Sequence, residues 1–271
     1  MSRNDTRTSA TVRVFVPTYR RHKLFSRALD SLLAQTHTRW ICEVHNDDPT
    51  DTFPAELVKR LGDPRIELHT HERNLGATQT FNLFFRPTRE AFYSLLEDDN
   101  WWEPEFLTIM VSEMESNPSV SMGWCNQKIW EELPDGSWRD THQLVTPSET
   151  DARSRLVRFG EWRQMLGAIH SNGSMLMRSR ADKSYETPVN WPFALIEPFR
   201  ERMVQFPLLY VPRPLAVFSL TLKTARTETR TEWVEGLTIL AATFLSHAHY
   251  DEKHLAEVEP NANAKRRKAS K

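Results

Sequence analysis

Between Val12 and Leu96 the sequence switches four times between strand-like and helix-like patterning, and this alternation restricts the fold more than any other feature. VRVFV (residues 12–16) is a β-rich run stopped by Pro17. Phe25, Ala28, Leu29, Leu32 and Leu33 recur at helical spacing, which predicts an amphipathic helix over 22–35. Trp40–His45 reads as a second strand ending at NDDPTD, and Pro54–Leu61 as a short helix whose early proline loses no needed N–H. Arg65–His69 is a third strand. Gly76–Phe85 is a helix with Phe81, Phe84 and Phe85 on its apolar side, and Phe92–Leu96 is a fourth strand. Such alternation predicts a mostly parallel sheet with right-handed crossovers. Ligands of these sheets bind beyond the carboxyl ends of the strands. Here those ends carry Thr18-Tyr19-Arg20, Asn46-Asp47-Asp48 and Glu97-Asp98-Asp99 on one rim.

Later segments are patterned less sharply. Pro104–Asn117 predicts a helix with Leu107, Met110, Val111 and Met114 on one face, and Val120–Ile129 a strand. ELPDGSW (132–138) has turn chemistry suited to joining two strands. Residues 149–165 read as helical, Ser174–Arg178 as a strand, 193–204 as a helix, and Leu208–Val211 and Leu215–Leu220 as extended. Trp233, Leu237, Leu240, Ala241, Phe244 and Leu245 mark a C-terminal amphipathic helix. The expected organisation is one α/β domain over 11–222, a helical extension over 223–257 and a disordered basic tail over 258–271 containing AKRRKASK.

A chain of 271 residues with 39% hydrophobic and 26% charged residues suits a packed globule. A formal net charge of −1 gives no global field to attract nucleic acid or an anionic membrane. The polar first ten residues hold no signal-peptide core, and no apolar run reaches the ~18–20 residues needed to cross a bilayer, so the expected compartment is the cytoplasm. Cys42 and Cys125 match no metal spacing and read as reduced thiols. Only 8 glycines are present, and neither GxGxxG nor GxxxxGK[ST] occurs, so a bound phosphate must be held some other way.

LLEDDNWWEP (95–104) then poses an electrostatic problem. Acids after a strand are commonly a solvated loop, or cap the next helix as Glu103 and Glu105 would. Three acids crowded between a buried strand and two tryptophans repel one another and raise each other's pKa unless a cation neutralises them. A hard divalent cation, Mg²⁺ or Mn²⁺, suits carboxylate oxygens, whereas the thiol and paired-imidazole ligands of zinc are absent nearby.

VFVPTYRR, LxRALDSLLAQTHTRW, EVHNDDPTD, HERNLGA and FYSLLEDDNWWEPEFL follow one another over residues 14–107. In this order they resemble the family 2 glycosyltransferases, enzymes of GT-A fold. The later SMLMRSR and LLYVPRPLAVF resemble that family's later strands more loosely. The resemblance implies a UDP-, GDP- or dTDP-linked sugar donor, with Pro17, Thr18, Tyr19 and Arg21 around the nucleotide and Asn46, Asp47 and Asp48 at its base or ribose. Asn46 stands where the family often has Asp, and Pro49 replaces a Ser. Arg73 and Asn74 match a family position near the nucleotide. Glu97-Asp98-Asp99 matches the DxD motif with Glu in first place, which makes Asp99 the expected metal ligand, Asp98 a contact of the donor's sugars and Glu97 the departure from the pattern.

The same resemblance implies an inverting reaction. A metal would stabilise the leaving diphosphate, helped by Arg20, Arg21, Lys23 and Arg73 early and Lys223 and Arg226 late. A carboxylate would take the acceptor's proton. Glu197, in NWPFALIEPFRER, is the expected base, with Glu201, Glu186 and Asp182 as fallbacks; the family's usual Glu-Asp pair is not legible there. His170 is expected near the sugar and Trp102 as a wall of the pocket. FSLTLKTART carries no late histidine, so the metal has one protein ligand or a substitute such as Lys223. The acceptor would be a glycan, a lipid-linked sugar or a small natural product. The reading admits a homodimer and a peripheral contact of the KRRK tail with the inner face of the membrane, and expects no nucleic acid partner. A second reading is a non-catalytic GT-A-like module that binds nucleotide or sugar. A third, a sugar-1-phosphate nucleotidyltransferase, lacks its glycine- and arginine-rich loop.

Overall fold

Val12, Val14 and Val16 point to one side of the first strand and Phe15 to the other, and both sides are covered. This is the burial expected of a parallel strand with helices on both faces. The computed structural model describes residues 10–147, 151–222 and 230–247. The first half alternates β1 (Val12–Thr18), α1 (His22–Leu33), β2 (Trp40–Asn46), α2 (Phe53–Leu61), β3 (Ile66–Thr70), α3 (Ala77–Asn82) and β4 (Phe92–Leu95). Then come β5 (Trp101–Trp102), α4 (Phe106–Ser116), β6 (Met122–Glu132), β7 (Trp138–Leu144), β8 (Arg155–Val157), β9 (Met175–Arg178), α5 (Ile196–Glu201), β10 (Leu208–Leu220) and α6 (Arg230–His247).

One sheet runs in the order β3-β2-β1-β4-β9-β6-β10-β5, with β7 on β6 and β8 on β10. The β3-β2-β1-β4 half and the β6–β10 pair are parallel. β9 runs antiparallel between β4 and β6. One core lies between the sheet and α1 and α4, where Phe25, Ala28, Leu29 and Leu32 meet the β1 valines and Met110 and Met114. The opposite core gathers Phe15, Phe81, Phe84, Phe85, Tyr93 and Tyr210, with Phe15 stacked on Phe84 at 4.9 Å between centroids. Cys42 and Cys125 are free and buried.

Several elements depart from the expected pattern. Among the described residues of 149–165 there is no α-helix: β8 pairs antiparallel with β10 and a 3-10 turn follows at Trp162–Met165. The two extended runs near the end are one strand, β10, which crosses Pro214 by shifting register against β6. The 193–204 helix is a 3-10 turn at Phe193–Leu195 leading into the short α5. The two-residue strand β5 is an addition, pairing Trp102 with Ala216 and Trp101 with Val217. α6 buries Leu240 and Phe244, the latter against Phe159 and Trp162. Among the described residues no helix is long and apolar enough to cross a membrane. Lys223, Arg226 and the basic tail lie outside the described residues.

Candidate active site

Parallel pairing brings Thr18 at the end of β1 beside Asn46 at the end of β2. The Leu96 N–H donates to Phe15 O at 2.9 Å, so the chain leaves β4 alongside β1 and carries Glu97-Asp98-Asp99 over the same rim. Burial first, then the charge of Asp99, pushes the Asp98 carboxyl up to about 7, against the opposing effects of Arg21 and the Thr18 hydroxyl. Its Oδ2 also accepts the Tyr19 N–H at 3.4 Å. Glu97 is held well above the usual carboxylate range by burial, then by Asp99 and Glu197; Asn100 Nδ2 partly offsets this by donating to it at 2.7 Å. Arg21 donates to the Asp99 carboxylate and stands 3.8 Å from that of Asp98. Burial opposes the Arg21 charge, but Asp98 and Asp99 outweigh it and hold its pKa above the ordinary value.

The main chain of Asp99 is fixed from behind. Arg27 Nη2 donates to its carbonyl oxygen at 2.7 Å, and the Ser219 hydroxyl donates to the same oxygen. The Arg27 guanidinium lies between the rings of Trp101 and Trp138, 3.9 and 4.1 Å from their centroids. Burial lowers its pKa to about 10. The two rings are perpendicular, 87° between planes, so the guanidinium sits in an aromatic corner and is held by cation–π attraction as well as by its hydrogen bonds.

The second strand end is internally organised. Asp47 is buried, and its carboxylate accepts the N–H groups of Leu75 and Gly76 at 2.7 and 2.9 Å and lies 2.9 Å from His71 Nδ1. Asn74 Nδ2 donates to the Asp47 carbonyl at 3.1 Å. Gly76, at φ 77°, takes the left-handed turn that aims its N–H at this carboxylate. Asp47 thus shapes the 71–76 loop. Asn46 braces the following turn, donating to Asp51 O and accepting from Asp48 N. Asp48 pairs with Arg20 and accepts twice from Thr50, which lowers its carboxyl pKa to about 2. Tyr19, 45% exposed, and Arg73 open to solvent on this side, and Pro17 is buried in β1.

Glu197 opens α5 and accepts the Asn172 N–H at 2.6 Å. The turn at Asn172–Ser174 faces the acids: a Cβ added to Gly173 would stand 2.9 Å from both Glu97 Oε2 and Asn100 Nδ2, so a larger residue there would displace those side chains. The turn is pinned from beneath by Glu201, which is fully buried. Its carboxylate accepts from Gln164 Nε2, the Ile169 N–H and His170 Nδ1 at 2.8, 2.9 and 2.6 Å. Burial raises the Glu201 pKa, but these donors, His170 foremost, bring it below the ordinary value. An ionised carboxylate only accepts, so Nδ1 of His170 carries the proton. His170 and Glu201 support the turn from the interior. Glu186 pairs with Arg86 at the surface, and Asp182 lies 3.6 Å from Lys183.

Trp102 corrects an expectation. It is 2% exposed, stacks on Phe106 at 4.2 Å and donates its indole N–H to Gly173 O at 2.8 Å. It backs the 172–174 turn instead of walling an open pocket. Side chains alternate across a strand, and it is Trp101 that faces Arg27.

The carboxylates at this rim are hard oxygen donors, which suit Mg²⁺ or Mn²⁺. Among the described residues no three His, Cys, Asp or Glu side chains converge as a complete metal cage. The donor set therefore fits a cation held by one or two carboxylates and completed by substrate oxygens.

A model of glycosyl transferase family 2 matches residues 13–183. The chain belongs to that family. Among curated family relatives, the UDP-Glc:alpha-D-GlcNAc-diphosphoundecaprenol beta-1,3-glucosyltransferase WfgD of Escherichia coli is 28% identical over 118 residues, 44% of this chain and 46% of WfgD. The putative colanic acid biosynthesis glycosyl transferase WcaA of E. coli K12 is 24% identical over 119 residues, 44% of this chain and 43% of WcaA. The matches thus span less than half the length of these relatives. S. aureus TarS 1–349 in complex with UDP superposes with a TM-score of 0.67 at 16% identity, over 90% of this chain and 68% of that one. The mannosyltransferase PcManGT from Pyrobaculum calidifontis, in complex with GDP-Man and Mn²⁺, gives 0.52 at 12% identity over 94% and 80%. The fold is that of GT-A glycosyltransferases.

Arg27, Asn100, Asn172, Gly173 and Ser219 are site-building residues with no signal of their own in the sequence. Arg27, Gly173 and Ser219 reach the acidic turn from distant parts of the chain, Asn100 acts from beside it, and Asn172 reaches Glu197. Arg27 sits beside the buried Ala28 in α1 and reads there as an ordinary helix-surface cation.

Proposed function

We propose that this family 2 protein transfers a sugar from a nucleoside-diphosphate donor to an acceptor hydroxyl with inversion at the anomeric carbon. The observation that carries this reading is the meeting of Glu197, through Asn172 and Gly173, with the Glu97-Asp98-Asp99 turn at the sheet rim. Glu197 is the proposed base. It accepts the acceptor's hydroxyl proton as the new bond forms from that oxygen to the anomeric carbon and the bond to the diphosphate oxygen breaks. Pro17, Thr18, Tyr19, Asn46, Asp48, Arg73 and Asn74 are proposed to line the nucleotide, with Asp47 holding their loop in shape. Asp98 is proposed at the donor's sugars, Arg21 at the diphosphate, and His170 behind the sugar through its turn.

Asp99 would hold Mg²⁺ or Mn²⁺. Such a cation, when bound, neutralises charge growing on the leaving diphosphate. WfgD's name pairs a UDP-sugar with a lipid-diphosphate acceptor. Together with TarS bound to UDP and PcManGT bound to GDP-Man, it supports a uridine or guanosine donor and a glycan or lipid-linked acceptor. We take 11–222 as the catalytic unit with α6 appended, acting in the cytoplasm or against the inner face of the membrane, and compatible with a homodimer.

The test is turnover of a panel of UDP-, GDP-, CDP- and dTDP-sugars with Mn²⁺, with the anomeric configuration of the product read by NMR. Inverted product from the wild type and none from Glu197→Gln is expected. Retained configuration, or unchanged turnover in the variant, would overturn the assignment of Glu197.

A further inference from the structure

Arg21 donates to the Asp99 carboxylate and approaches that of Asp98 as well. The two carboxylates and the guanidinium are each largely buried, with 12%, 23% and 27% of their side chains exposed. A guanidinium and a divalent cation on one carboxylate repel each other, and that repulsion is weakly screened away from bulk water, so each weakens the other's hold on it.

We propose that Arg21 is the resident counter-ion of the acidic turn and that it exchanges Asp99 for the donor's diphosphate as a divalent cation binds. The proposal rests on the nucleotide-sugar reading above. It assigns Arg21 two successive anionic partners within one site. Arg21 lies just past the end of β1 and immediately precedes α1. The carboxylate has first call on the guanidinium, and a cation alone must displace it. A diphosphate brings its own negative charge, takes over the guanidinium and frees the carboxylate oxygens. Cation and nucleoside diphosphate therefore bind with positive coupling, and each tightens the other by the same factor. Removing the charge of Arg21 removes the part of that coupling that comes from the exchange: the cation then binds more tightly without the nucleotide.

The experiment measures protein-bound Mn²⁺ by electron paramagnetic resonance at pH 8, with and without saturating UDP or GDP, for wild type, Arg21→Gln and Arg21→Lys. For the wild type, Mn²⁺ alone is expected to bind weakly, and the nucleotide to lower its Kd by about 10-fold or more. Arg21→Gln is expected to bind Mn²⁺ alone about 10-fold more tightly than wild type and to gain less from nucleotide than wild type does, the gain that remains coming from the diphosphate oxygens on the cation. Arg21→Lys keeps the charge and is expected to follow the wild type. Arg21→Met repeats the neutral substitution if the Gln variant is unstable. Equal Mn²⁺ affinity in wild type and the neutral variants overturns the counter-ion role while leaving the donor site standing. Absence of Mn²⁺ binding in every protein, with and without nucleotide, overturns the exchange and the metal-assisted reading together.

Discussion

The main-chain N–H of Asn172 donates to Glu197 Oε1 at 2.6 Å, and this single bond ties the start of α5 to the turn facing the acidic loop. A glutamine at 197 keeps an oxygen acceptor for that N–H but cannot take a proton. Glu197→Gln is therefore expected to keep its melting temperature and its nucleotide affinity while kcat falls by about 10²–10⁴-fold. Steady-state turnover alongside calorimetric nucleotide binding checks this. A parallel loss of binding would make Glu197 a structural residue.

Asp47 gathers three donors around a buried carboxylate. Asp47→Ala leaves two main-chain N–H groups and an imidazole N–H without it, at a cost of about 2–4 kcal/mol. The melting temperature is expected to fall by roughly 5–15 °C, and the 71–76 loop to gain amide exchange. Differential scanning fluorimetry and hydrogen exchange read both effects.

Asp98 predicts a pH dependence of stability. Its folded pKa, raised by burial and then by Asp99 to about 7, lies above the ordinary 3.8. Between those values the folded state keeps a proton that the unfolded chain has released, so this group's contribution falls as pH rises. Asn cannot ionise. Asp98→Asn is expected to stabilise the protein by roughly 1–3 kcal/mol more at pH 8 than at pH 5, read from denaturant unfolding at the two pH values. A gain that is equal at both would contradict the raised pKa.

Most of the first half of the fold is legible in the sequence because each element carries its own period and its own stop: Pro17 after VRVFV, NDDPTD after Trp40–His45, the acids after Phe92–Leu96. The rim acids are legible because runs of charge after apolar strands stand out. What joins them is not. Arg27 reaches Asp99, and Asn172 reaches Glu197, across long stretches of intervening chain, and no local pattern encodes either pairing. β8 has three residues, too few to show a period, and lies inside a run that reads as helical. Two adjacent tryptophans do not reveal which one turns inward; that is decided by the pairing of β5 with β10, which buries Trp102 and leaves Trp101 beside Arg27.

Arg27→Lys keeps the charge but loses the planar group seated in the corner formed by Trp101 and Trp138. The expected cost is about 1–2 kcal/mol of stability, with a change in tryptophan fluorescence. Because Arg27 also holds the Asp99 carbonyl, Mn²⁺ affinity in the presence of nucleotide is expected to weaken by several-fold, about 3–10. Unchanged fluorescence and Mn²⁺ affinity would show that the Arg27 contact does not position Asp99.

The central claim is a nucleoside-diphosphate donor site organised around Asp99. Isothermal titration of wild type and Asp99→Ala with UDP, GDP, CDP and dTDP in millimolar Mn²⁺ tests it most directly. One of the four is expected to titrate the wild type, and its affinity to fall by about 10-fold or more in the variant; no binding of any of the four to the wild type, or equal affinity in the variant, would contradict the account.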